Sequence, residues 1–278
     1  MSRHTTSPTL RAGFTLIELV VVIVITGVIA ASVAVFLRLP VQGYVDATRR
    51  AEMSDIADTA LRRMARDIKL ALPNSIRITD GGKTLELLLT RTGGRYRTEG
   101  VGFLDFSQPV SSLTQLGPFA NGVGQNILAG DLLVIYNLGI AGADAYASDN
   151  SASITGIDAT APNEPLIHFT PKQFPFESPD ARFQIVEGAV TYTCDNAAGK
   201  TNLMRYAGYP ITPGQPTAAS LAASPAARAL AASNVSACAF TYTPGVTARA
   251  GVVVLTLKIS LAGESVQLYQ EAHVSNVP

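Results

Sequence analysis

Gly13-Phe14-Thr15-Leu16-Ile17-Glu18 stands at the head of a long uncharged run, Leu19 through Leu37, which is 19 consecutive residues without a charged side chain. A helix over that run is roughly 28 Å long, close to the hydrocarbon thickness of a bilayer. Ahead of it lies a short polar segment with Arg3 and Arg11 and no acid, the composition of a cytoplasmic flank; Arg38 behind the run blurs the asymmetry. Glu18 is the residue that does not fit a plain anchor. A carboxylate at that position costs on the order of 2–3 kcal/mol in hydrocarbon, so it is a functional candidate and asks for a partner. Cleavage after Gly13 would create one, the α-amino group of Phe14, in the same subunit or in a neighbour. A helix start also favours a negative charge in its first turn.

The residues alone leave three readings of this segment open. It is a secretory signal peptide with Ser32-Val33-Ala34 as a small-x-small cleavage site and a soluble domain beginning near Val35; or an uncleaved anchor; or a segment processed after Gly13. Glu18 is unexplained by the first two.

Composition narrows the possibilities. With 278 residues the chain is long enough for one large or two small domains. Lys+Arg and Asp+Glu are 21 each, so there is no basic field to hold nucleic acid, and 47% hydrophobic against 15% charged residues excludes a disordered chain. Two cysteines and three histidines leave a zinc site short of ligands.

From Val41 the apolar residues fall at helical spacing on one stripe: Tyr44, Val45, Met53, Ile56, Ala57, Ala60, Leu61, Met64, Ile68, Ala71 and Leu72. Asp58 and Arg62 form a favourable i, i+4 pair, and Arg62, Arg63 and Arg66 read as a solvated face. Pro73-Asn74 ends the helix, and Pro40 with Gly43 predicts a kink. After Pro73 the period shifts to two. Ser75–Thr79 and Thr84–Leu89 flank Asp80-Gly81-Gly82-Lys83 as a hairpin, and strands are expected at 131–136, 182–186, 189–193, 239–242, 252–260 and 266–274. Residues 92–165 read as a loop-rich surface lobe, and 216–234, rich in alanine and serine, as a surface helix or loop with too little bulk for a core.

The segment from Gly13 to Glu18 with its following apolar helix resembles the class III signal of type IV pilins and of the pseudopilins of type II secretion. The resemblance implies that a prepilin peptidase cuts between Gly13 and Phe14, that the new N-terminus at Phe14 is methylated, and that Glu18 guides assembly by facing the N-terminus of a neighbouring subunit. It implies a leader at 1–13, a transmembrane and assembly helix at 14–39, an amphipathic continuation at 40–72 and a β-rich globular domain at 73–278, an α+β pilin-like fold on an antiparallel sheet. No proline interrupts the apolar half, unlike many major pilins. Cys194 and Cys238 would then lie on the oxidising side of the membrane, where a disulfide is expected, and such a bridge near the C-terminus is also similar to pilins.

A finer resemblance rests on Ala65-Arg66-Asp67-Ile68 through Leu72-Pro73-Asn74-Ser75, on Ser178-Pro179-Asp180-Ala181-Arg182-Phe183, on Tyr192-Thr193-Cys194-Asp195 and on His273 through Pro278. These are similar to the MshO-type minor pilins of mannose-sensitive haemagglutinin pili, and the size of the globular part is similar to the J-type minor pseudopilins. The implied partners are other major and minor pilins, the prepilin peptidase and the inner-membrane assembly platform. The implied location is a bacterial inner membrane, single-pass with a periplasmic C-terminal domain, and then an extracellular fibre.

Catalytic patterns are missing: there is no G-x-S-x-G, P-loop, H-E-x-x-H or C-x-x-C. His168 and His273 read as packed or solvent-facing, Gly93-Gly94-Arg95-Tyr96-Arg97 as a turn, and Asp144, Asp149, Asn150 and Asp158 as too few and wrongly spaced for a calcium loop. The expectation is a structural subunit, with no enzyme activity and no cofactor. Without Arg3 and Arg11, 19 basic residues face 21 acids, so a net charge near −2 leaves assembly to apolar helix contact and to Glu18.

Overall fold

The structure, a computed structural model, describes residues 13–119, 127–195, 202–224, 226–245 and 250–274. The leader at 1–12 and the terminal Ser275–Pro278 lie outside these residues. A 54-residue helix, α1 (Leu16–Lys69), runs unbroken across Pro40 and Gly43. Two compact units divide inside it, at Ala51 and Glu52.

In the N-terminal unit every side chain from Gly13 to Arg38 is exposed, including Leu16, Ile17, Ile23, Val28 and Phe36. A helix that is apolar on all sides has no solvated face and belongs in a membrane or a helix bundle. Its two uncharged polar side chains are reconciled with such surroundings by their own backbone: Thr26 Oγ1 donates to the Val22 carbonyl at 2.7 Å and Ser32 Oγ to that of Val28 at 2.9 Å. Tyr44 and Val45, expected on the apolar stripe, are exposed too.

In the second unit the helix changes character. Met53, Ala57, Ala60, Leu61, Met64, Ala65 and Ile68 are buried, while Arg62, Arg63 and Arg66 are exposed and Arg62 pairs with Asp58 at 2.7 Å. The buried stripe packs on two antiparallel sheets. The larger, nine-stranded among the described residues, contains β1 (Arg77–Thr79), β2 (Thr84–Arg95), β3 (Val110–Thr114), β4 (Leu132–Ile135), β5 (Ser151–Asp158), β6 (Leu166–Lys172), β7 (Arg182–Asp195), β8 (Asn202–Ala207) and β9 (Ala227–Ala232). The smaller holds β10 (Val235–Thr243), β11 (Gly251–Leu261) and β12 (Glu264–Val274), in that order.

Strand β7 is the spine of the larger sheet. One edge pairs along its length with β2; the other is shared, β4 taking Phe183–Val186 and β8 taking Val190–Asp195. Period-two alternation then divides the apolar residues between cores. Leu85, Leu87 and Leu89 of β2, Val190 and Tyr192 of β7, and Val253, Leu255, Leu257 and Ile259 of β11 share the core of the α1 stripe. Leu88, Val186, Ala189 and Tyr206 pack in another cluster with Leu72 and Tyr146.

Four expectations are corrected. The segment 182–186 and 189–193 is one strand, its pairing with β2 shifting register beside Gly188. Gly93 to Arg95 form the end of β2 instead of a turn. The stretch 92–165 holds β3, β4 and β5 with buried Tyr96, Leu104, Leu113, Leu133 and Ile154, and β4 and β5 lie inside the sheet order between β7 and β6. Within it β4 is the strand expected at 131–136, while β3 and β5 are rich in serine and threonine and carry too few apolar residues for periodicity to reveal them. In the stretch 216–234 the short helix is present as α2 (Ala218–Ala223), but β9 follows it and Leu221 enters a core. One large side chain on a short helix is enough to seat it.

Candidate functional site: the N-terminal segment

The first turn of α1 is built by Thr15. Its hydroxyl accepts from the Glu18 N–H at 3.3 Å and its carbonyl accepts from the Leu19 N–H at 3.2 Å, so Thr15 is the cap and Glu18 the third helical residue. Thr15-x-x-Glu18 is capping-box spacing, a local reason for a carboxylate at this position that the sequence carried in plain view. Gly13, Phe14 and Thr15 are non-helical and exposed, Phe14 at 79%. The Gly13–Phe14 peptide bond therefore lies outside the helix, where a peptidase can reach it without unwinding a turn. A Cβ at Gly13 would meet nothing within 4 Å. Glu18 sits one turn inside, exposed, at the positive end of the helix dipole.

Cys194 of β7 and Cys238 of β10 form a disulfide that joins the larger sheet to the smaller. The other residues singled out do not converge. His168 on β6 and His273 on β12 are exposed on different sheets. Asp144 caps a 3-10 turn through the Tyr146 N–H, Asp149 accepts from the Gly142 N–H at 2.9 Å, and Asp158 is engaged by Thr160 at a separate place. Among the described residues no group of three or more His, Cys, Asp or Glu side chains could hold a metal ion.

Two buried polar networks leave no local signal in the sequence. Asp67, in the last turn of α1, accepts from the Tyr192 hydroxyl at 2.8 Å and from Arg205 Nε at 2.9 Å. Burial first, and then the negative charge of Asp67, push the Tyr192 phenol far above its ordinary value. Glu86, wholly buried on β2, pairs with Arg77 at 2.7 Å and accepts from the Tyr209 hydroxyl at 3.0 Å, while the Arg77 guanidinium lies 3.4 Å from the centre of the Tyr146 ring. Arg77 faces Glu86 across the β1–β2 hairpin, but Tyr146, Tyr192, Arg205 and Tyr209 come from far along the chain, and no local pattern marks such partners.

Residues 9–34 match the prokaryotic N-terminal methylation motif. No curated protein and no solved structure matches the chain. A methylation motif that leads into an exposed apolar helix, long enough to cross a membrane, and then into an α+β unit of antiparallel sheets supports a type IV pilin-like or pseudopilin protein. The motif implies processing by a prepilin peptidase and assembly with other pilins, and with the apolar helix it fits membrane anchoring.

Proposed function

We propose that this chain is a minor pilin: anchored in a bacterial inner membrane with its globular unit in the periplasm, cut between Gly13 and Phe14, methylated at Phe14, and drawn into a type IV pilus at or near the tip or during initiation. The role is structural, with no turnover. The observation that carries this reading is the motif at residues 9–34 on a helix whose first part, Leu16 to Leu37, has every side chain exposed and almost all of them apolar. Such a surface is satisfied by lipid before assembly and by neighbouring helices afterwards. Glu18 is the charge that a neighbouring Phe14 amine neutralises, and the cap on Thr15 fixes where Glu18 stands.

Size favours a minor component. The unit from Glu52 onward contains twelve strands among the described residues, and a lobe of that bulk crowds a fibre in which every repeat carries it. The resemblance to the MshO-type group points to a pilus. A minor pseudopilin of type II secretion is the second reading, since the methylation motif is common to both, and a signal-peptide-exported soluble protein is the third.

The test is the N-terminal residue and mass of the mature protein from its native membrane. N-methylated Phe14 is expected. A start near Val35, or an intact Met1, overturns the assembly reading. Recovery of the mature protein in sheared pili separates the pilus from the secretion system.

A further inference from the structure

The loop that follows β2 holds apolar side chains out in water by design of its backbone. Gly100 and Gly102 both adopt left-handed angles, φ 81° and 78°, and the turn between them presents Val101 at 96% exposure and leaves Phe103 half exposed. Left-handed angles favour glycine, so the turn is specified by the sequence. The loop is not loose: the Leu104 N–H donates to the Arg97 carbonyl at 3.0 Å, and the Phe106 ring packs 5.9 Å from Tyr96.

Beside this turn is an open cleft of about 220 Å³ lined by Thr98, Phe103, Leu104, Asp105, Phe106, Ser107 and, from the loop before β7, Glu177. The second loop is tied to the first, because Gln173 Nε2 donates to the Phe106 carbonyl at 3.1 Å and the Ser178 N–H donates to the Tyr96 hydroxyl at 3.0 Å. Phe176, next to Glu177, is 48% exposed.

The charges of the cleft are one-sided. Asp105 is held by Ser107 and Gln108, which are neutral; Arg97 pairs with Glu164, Arg182 with Asp180, and Lys172 donates to the Ser148 carbonyl. Among the described residues neither Asp105 nor Glu177 has a cationic partner in an ion pair. An apolar floor of two phenylalanines and a leucine between two uncompensated carboxylates complements one kind of side chain, an aliphatic stem with a positive end.

We propose that this cleft docks an arginine or lysine side chain of a partner protein, its stem on Phe103 and Phe106 and its charge between Asp105 and Glu177. The inference goes beyond the assembly reading and does not depend on it, since it uses only the globular unit.

The test uses the full chain in detergent, labelled with fluorinated phenylalanine, and titrates it with a capped Gly-Gly-Arg-Gly-Gly peptide and with the same peptide carrying citrulline, which keeps the shape and loses the charge. A saturable shift of the Phe103 resonance with arginine, absent or much weaker with citrulline, is expected. Glu177→Gln, at an exposed position, is expected to weaken binding about threefold or more, and Phe103→Ala to abolish the response of the Phe106 resonance. Equal response to citrulline, undiminished binding in Glu177→Gln, no saturable shift with arginine, or a shift produced instead by a neutral oligosaccharide each overturns the proposal.

Discussion

Asp67 and Arg205 lie 138 positions apart in sequence and form an ion pair at 2.9 Å, with side chains 7% and 16% exposed. The pair fastens the last turn of α1 to β8, and the Tyr192 hydroxyl shares the same carboxylate oxygen. A buried charge whose partner is removed keeps its desolvation cost without the compensating attraction. Asp67→Ala is therefore expected to lower stability by about 3–5 kcal/mol, and Tyr192→Phe, which removes one hydrogen bond and leaves the ion pair, by about 1–2 kcal/mol. Urea unfolding of the purified chain measures both, and equal effects of the two changes contradict this ordering.

The Glu86 carboxyl is raised above its ordinary value of 4.5, chiefly by burial, with Arg77 and Tyr209 offsetting part of the shift. The folded state thus holds this proton more tightly than the unfolded chain. Its contribution to stability is greatest below the ordinary value and declines as pH rises through the raised one. Glu86→Gln is expected to flatten that part of the pH profile of the melting temperature. A profile that keeps its slope in the variant assigns the slope to other groups.

The disulfide between Cys194 and Cys238 closes a segment with a separation of 44 residues. Because the bond crosses from the larger sheet to the smaller, its loss frees the chain that connects them. Replacing both cysteines by serine is expected to cost about 4 kcal/mol on the chain-entropy account, read as a lower urea midpoint. An unchanged midpoint would mean that the native contacts of β10 already supply that restraint.

Gly93 stands where a Cβ would come within 2.9 Å of the Phe183 carbonyl oxygen. Backbone cannot step aside as a flexible side chain can. Gly93→Ala is expected to destabilise by about 1–3 kcal/mol while leaving membrane insertion intact, which separates a fold defect from an assembly defect in cells.

Glu18→Ala is expected to leave the protein stable in the membrane and to reduce its incorporation into fibres about tenfold, which corresponds to about 1.4 kcal/mol of lost pairing. Thr15→Ala tests the cap, because it removes the acceptor for the Glu18 N–H without touching the carboxylate. Quantifying the subunit in sheared fibres and in membranes distinguishes loss of assembly from loss of protein; normal fibre content in Glu18→Ala removes the role assigned to Glu18.

The linear order of residues was sufficient wherever the governing interaction is local. The methylation motif, the uncharged run, the hairpin on Asp80-Gly81-Gly82-Lys83 and the amphipathic stripe from Met53 onward all depend on neighbours within a few positions, and motif and periodicity report them directly. The Thr15-x-x-Glu18 cap was equally readable. What emerged only with the fold depends on residues brought together from far apart: the insertion of β4 and β5 into the sheet, the division of β7 between β4 and β8, the partner of Asp67, and the two loops that enclose Asp105 and Glu177. A serine-rich strand such as Val110–Thr114 is stabilised by the strand it pairs with and by its buried residues, and a buried carboxylate by a cation more than a hundred residues away. Neither leaves a periodic trace, because the energy that fixes it is not stored in the neighbouring sequence.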